Sequence, residues 1–211
     1  MLSLILAVEE IIFIVVMIVV GIPTTWLMVH MGRTRQRVEQ AWRRVAAELH
    51  TLSVSKDDSG WPILGGTYRG RAIRAEFVSR GTAGHKSAHT RVSSSYTAAL
   101  PHEFALEPRG WLLALQTAFG KQDVKIGDEA FDREFVVQGA DPRAVRALLS
   151  DANIRAHILE QAKSEPALTV SHGQVVIENN GMITKSAALR SMLEAVTCTA
   201  EALDAAAAGQ G

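Results

Sequence analysis

The run Ile11 to Val29, IIFIVVMIVVGIPTTWLMV, constrains this chain more than any other stretch. It carries no charge and is long enough to cross a bilayer as one helix of about 20 residues. A cleaved signal peptide would need a basic start, a shorter apolar core and small residues at a cleavage site, and none is present. Arg33, Arg35, Arg37, Arg43 and Arg44 follow the run, whereas only Glu9 and Glu10 precede it closely. This asymmetry predicts a single-pass protein of the inner (cytoplasmic) membrane, with the N-terminus outside and the long C-terminal part in the cytoplasm.

Within the run, Trp26 suits an interfacial anchor. Pro23 removes a backbone donor and frees the carbonyl of Val19, which a neighbouring helix or a Thr hydroxyl can satisfy. Gly21 and Thr25 lie four residues apart and form a small-xxx-small pair that would let another helix approach. The expected partners are therefore membrane lipid and a membrane protein or a second copy of the chain, with Gly21, Pro23, Thr25, Trp26, Arg33, Arg35 and Arg37 at the interface.

Past Arg33 the pattern becomes helical. Val38, Trp42, Val45, Leu49 and Leu52 recur at intervals of four, three, four and three, over about two heptads. That is too short for a coiled coil, so the stripe is expected to pack on the domain that follows. The domain plan is an anchor over 1–31, a juxtamembrane helix or stalk over 32–56 and a cytoplasmic domain over 57–208.

In that domain the period changes to two. WPILGGTYRGRAIRAEFVSR reads as two strands folded about Arg69-Gly70, with Ile73, Ala75 and Phe77 on the buried face. A third strand carries Val92, Ser94, Tyr96, Ala98 and Leu100 in alternation, and a short one places Phe104 and Leu106 inward. WLLALQTAF is too uniform to assign by period. Phe131, Phe135 and Val137 read as one face of a strand that Gly139 ends. Asp141-Pro142 opens a helix, since the carboxylate caps free N–H groups and proline fits the first position. A break near Ser150 and a second helix to about Ala162 follow. LTVSHGQVVIENN reads as a hairpin turning at His172-Gly173. A last helix from Thr184 to Ala206 presents Leu189, Met192, Leu193, Val196, Ala200 and Leu203 on one stripe. The expected fold class is α+β, an antiparallel sheet domain covered by C-terminal helices.

The chemistry-bearing motifs fail one by one. Gly81 to Ser87 lacks the glycine spacing of a phosphate loop, lacks Gly before Lys, and lies between strands with no helix N-terminus behind it. His85, His89 and His102 have no acidic residue at a helpful spacing for a metal. Ser93, Ser94 and Ser95 lie on a strand, and neither G-x-S-x-G nor H-E-x-x-H occurs. Cys198 is the only cysteine, which excludes an intrachain disulfide and a cysteine-rich metal cage. Lys+Arg and Asp+Glu are both 22, and the basic residues concentrate only beside the apolar run, which argues against a nucleic-acid partner. No cofactor is expected.

Read in order, Thr67 to Arg71 (TYRGR), Gly127-Asp128, Phe131-Asp132-x-x-Phe135, Asp141-Pro142, Leu148-Leu149 and Gly181-Met182-Ile183 resemble a broad group of uncharacterised bacterial membrane-anchored α+β proteins with an FD-x-x-F strand motif. The resemblance implies a membrane helix, a helical stalk and an α+β domain, and it supplies no activity and no site. The expected function is non-enzymatic: an accessory or scaffold subunit docking a cytoplasmic domain beside a membrane assembly. The alternatives are a small-ligand sensor or binding module and a membrane-tethered hydrolase using a loop histidine.

Overall fold

The computed structural model describes residues 17, 22–81, 86–101, 104–109, 123–165 and 167–209. Helix α1 spans Ile22–Leu49, and the strands β1 (Leu52–Lys56), β2 (Pro62–Tyr68), β3 (Arg71–Arg80), β4 (Ser87–Ser95) and β5 (Ala105–Pro108) follow. Then come α2 (Glu129–Glu134), β6 (Phe135–Gln138), α3 (Pro142–Leu148), α4 (Ala152–Ser164), β7 (Leu168–Ser171), β8 (Gln174–Asn180) and α5 (Ser186–Ala208).

The eight strands form one sheet in the order β1-β2-β3-β4-β8-β7-β5-β6, every pair antiparallel. Alternation gives the sheet its core face. Leu64, Ala75, Val92, Ile177 and Leu168 are cross-strand neighbours in turn, and all are fully buried. The next row on that face runs Ile73, Ser94, Val175, Val170, Leu106, Val137. The opposite face carries Ser53, Gly65, Arg74, Ser93, Val176 and Thr169 in register, small or polar apart from Val176. Helices α1 and α5 cover the apolar face, α1 over β1 and β2 and α5 over β4 and β8, while α3 and α4 pack on α5.

Both hairpins turn where the sequence places them. Arg69 and Gly70 have φ of 50° and 79°, and His172 and Gly173 have 51° and 77°, the two consecutive left-handed residues that match the twist of the flanking strands. The Asp141 carboxylate accepts from the N–H groups of Arg143 and Ala144, and Asp151 caps α4 after the break at Ser150. On α5 the six expected stripe residues are all buried.

Two expectations need correction. The FD-x-x-F segment is not a strand. Residues 129–134 form a helical turn, because Asp128 caps it through the Phe131 N–H and Phe131 and Phe135, four apart, close on one face with ring centroids 5.1 Å apart. Strand β6 begins only at Phe135. The third strand stops at Ser95, since Asp204 captures the backbone N–H groups of Thr97 and Ala98 and draws the chain out of the sheet. The stripe of the juxtamembrane helix packs on the domain as expected, with Val38, Trp42 and Val45 in the core, and residues 52–56 form the edge strand β1. Segment 111–119, WLLALQTAF, lies outside the described residues.

Candidate functional site

Helix α1 has two halves of opposite character. The large apolar side chains exposed among the described residues are Met17, Ile22, Trp26, Val29 and Met31, at 48% to 66% of their surface. From Val38 onward the same helix turns inward, with Val38, Trp42 and Val45 fully buried, Ala41 nearly so, and Leu49 partly buried against the core. No helix among the described residues is long and apolar enough to cross a membrane. Most of the apolar run, including Gly21, lies outside them. Pro23 stands in the first turn of α1 as described, and Thr25 and Trp26 are exposed, the Trp26 ring stacked on His30 at 5.2 Å.

Trp42 fastens the helix to the domain. Its ring stacks on Phe77 of β3 at 5.0 Å, Trp61 meets Phe77 edge-on at 5.3 Å, and the Arg35 guanidinium lies over Trp61 at 5.6 Å. A side chain at Gly60, whose φ is 75°, would collide with that guanidinium. The Trp42 indole N–H donates to the carbonyl of Ile183 in the β8–α5 connector. Thr90, fully buried on β4, holds the same connector: its hydroxyl donates to the Gly181 carbonyl at 2.8 Å and accepts from the Ile183 N–H at 3.1 Å. Neither tie is legible in sequence, since nothing local to Thr90 or Trp42 names residue 183 as a partner.

The arginines divide. Arg35 is engaged by Trp61, and Arg43 donates to Glu39 at 2.7 Å, while Glu39 also meets Lys56. Hydrogen bonding from Lys56 outweighs burial and holds the Glu39 carboxyl below the usual range. Arg33 and Arg37 are exposed. Two open grooves flank the seam between α1 and α5, one of about 510 Å³ beside Glu48, Ser186, Arg190 and Glu194, the other of about 470 Å³ beside Arg37, Gln40, Arg44 and Lys185.

Cys198 stands among Glu194, Arg69 and Tyr68. Glu194 accepts from the Tyr68 hydroxyl and from Arg69, each at 2.8 Å, and the thiol sits 3.5 Å from the same carboxylate. Burial first, and then Glu194, pushes the thiol up, so it is held as the unreactive acid form. His89 meets the Ser87 hydroxyl at 2.8 Å on the exposed start of β4, and His85 and His102 lie outside the described residues. Among the described residues no group of three metal-ligating side chains converges.

No protein-family model and no curated protein matches the chain. Among solved structures it is similar to the crystal structure of the mycobacterial trehalose monomycolate transport factor A, TtfA, at 14% identity over 77% of this chain and 94% of that chain, with a TM-score of 0.46.

Proposed function

We propose that this chain is a membrane-anchored, non-enzymatic accessory or scaffold subunit of the inner membrane, holding a cytoplasmic α+β domain beside a membrane-protein assembly. The observation that carries the reading is the continuity of α1, whose exposed apolar residues at one end and buried stripe at the other belong to a single 28-residue helix. A helix that is core at one end transmits its position to the domain without a flexible joint. That suits a part whose task is placement rather than reach. The apolar run at 11–29 supplies the anchor, the Arg-rich flank sets its direction, and the pair Gly21 and Thr25 offers a face for a neighbouring helix.

Spheroplast proteolysis and cross-linking in the membrane test this together. The fragment from Trp61 onward is expected to survive external protease until the membrane is opened, and digestion from outside overturns the topology. Gly21→Leu fills the notch while keeping the run apolar, so insertion persists and cross-linking to a neighbouring helix falls. Undiminished function after exchange of Ile11 to Val29 for an unrelated anchor would reduce the run to a tether.

A further inference from the structure

The two grooves on the seam between α1 and α5 share Ser186 and Ala187 but differ in charge. In the groove of about 510 Å³ the charges are matched within the chain, Glu48 by Arg190 and Glu194 by Arg69. The groove of about 470 Å³ has no such balance. Arg37, Arg44 and Lys185 line it, all exposed and with no carboxylate beside them, and no ion pair between described residues engages any of the three. The nearest carboxylates on α1 are taken, Glu39 by Arg43 and Lys56, and Glu48 by Arg190. Elsewhere in the domain arginines meet carboxylates, Arg71 with Asp204, Arg80 with Glu178 and Arg155 with Asp128.

Membrane topology does not account for this cluster. Positive charge sets topology within about 15–20 residues of the apolar run, which takes in Arg37 and Arg44 and leaves out Lys185. Nor does the groove lie at the lipid surface. Arg37 to Arg44 stand beside Thr184 to Ala187, and Glu48 beside Arg190, so α1 and α5 run the same way, and the bond from Trp42 to Ile183 puts Lys185 level with Arg44. Helical rise places Arg44 about 22 Å beyond Val29, whereas the headgroup layer extends only roughly 5–7 Å past the hydrocarbon. The groove therefore opens to water, where a protein segment can enter it.

Its shape suits a helix. Two helices side by side leave a furrow in which a third can pack, and Ala41, Ser186 and Ala187 line this one with small side chains that let a backbone come close. Arg37 and Arg44 are seven residues, or about 10.5 Å, apart along α1. A helix with carboxylates two turns apart on one face matches both, with Lys185 on the other wall, whereas a compact anion meets only part of the set. We propose that the groove of Arg37, Arg44 and Lys185 docks an acidic helix of a partner protein. The proposal rests on the scaffold reading and names the chemistry of the partner. Complementary charge speeds the encounter and fixes the register of the docked helix.

The probe is a labelled, alanine-based peptide of about 18 residues, long enough to hold a helix, with glutamates at intervals of three and four along one face. Its counterpart carries glutamine at those positions. Fluorescence anisotropy at low salt reads binding to the full chain in neutral detergent. The acidic peptide is expected to bind about tenfold or more tightly than its counterpart, as several exposed charge pairs together would give. Arg44→Gln and Lys185→Gln should each weaken it about two- to fivefold, and both together with Arg37→Gln should abolish the preference for glutamate. Arg74→Gln, exposed on the opposite face of the sheet, should leave binding unchanged. Equal binding of the two peptides, or unaltered binding to the Lys185 variant, overturns the proposal. Displacement by inorganic phosphate beyond that by chloride at equal ionic strength assigns the groove to a small anion, and tighter binding of an oligonucleotide of matched charge assigns it to nucleic acid. Either result overturns helix docking. The detergent measurement does not depend on which side of the bilayer the domain occupies, so failure of the topology shows separately, in the spheroplast digestion.

Discussion

The Trp42 indole N–H donates to the carbonyl oxygen of Ile183 at 3.2 Å, joining residues 141 positions apart. The bond ties the helix that leaves the apolar run to the connector that starts the last helix. Trp42→Ala removes this bond, the stack on Phe77 and a fully buried ring, and is expected to cost about 3–5 kcal/mol. Trp42→Phe keeps a ring against Phe77 and loses the donor, so about 1 kcal/mol more than its packing change is expected. Urea denaturation of the full chain in detergent measures both. Equal stability of the Ala variant would assign the ridge of α1 to a partner.

Asp204 makes the fold sensitive to acid. Its carboxylate accepts from the N–H groups of Thr97 and Ala98 and the Thr97 hydroxyl, and pairs with Arg71, both side chains about 15% exposed. Burial pushes its pKa up, but these bonds outweigh burial and hold it below the usual carboxylate value. A carboxyl depressed in the folded state stabilises above its unfolded pKa, near 4, and that stability is lost as the pH falls through the folded value. Asp204→Ala is expected to cost about 2–4 kcal/mol at neutral pH. The deficit should shrink progressively below about pH 4, which urea midpoints across that range would show. A constant deficit would contradict the assignment.

Asp132 carries the FD-x-x-F motif through its side chain, not through a strand. Its two oxygens accept from the N–H groups of Ile126 and Gly127 at 3.0 Å each, closing the loop before α2, while Arg109 donates to its carbonyl. Asp132→Ala leaves two N–H groups without an acceptor and is expected to cost about 2 kcal/mol. Asp132→Asn keeps one acceptor oxygen and should cost about half as much. Hydrogen exchange at 126 and 127 should rise in the Ala variant before global stability is lost.

Ser94 stands in the core row between Ile73 and Val175, 1% exposed, with its hydroxyl unpartnered. A buried hydroxyl without a bond costs about 1–3 kcal/mol in lost hydration. Ser94→Ala is therefore expected to be neutral or to stabilise by about 1 kcal/mol, seen as a rise in the urea midpoint with unchanged slope. A loss of 2 kcal/mol or more would reveal a bond to the hydroxyl.

Much of the local structure was legible because its causes are local. The left-handed pairs at Arg69-Gly70 and His172-Gly173 follow from turn chemistry, the start of α3 from Asp141-Pro142, and the buried stripe of α5 from a period that needs no knowledge of the partner. The sequence by itself also determined that residues 11–29 form one apolar run flanked on one side by arginines. What tertiary structure alone decided is which surfaces meet. Alternation gives every strand an apolar face but no address, so the placement of β8 beside β4, with Thr90 paired to Asn179 and Ser95 to Gln174, arises only when all the faces are buried together under α1 and α5. The same holds for the helical turn at 129–134, where an apolar pair four apart satisfies either a strand or a turn of helix until Asp128 and Asp132 find their N–H donors. It holds as well for the charges: Arg37 and Lys185 are brought to one groove because burial of Trp42, and its bond to residue 183, carries the two helices side by side.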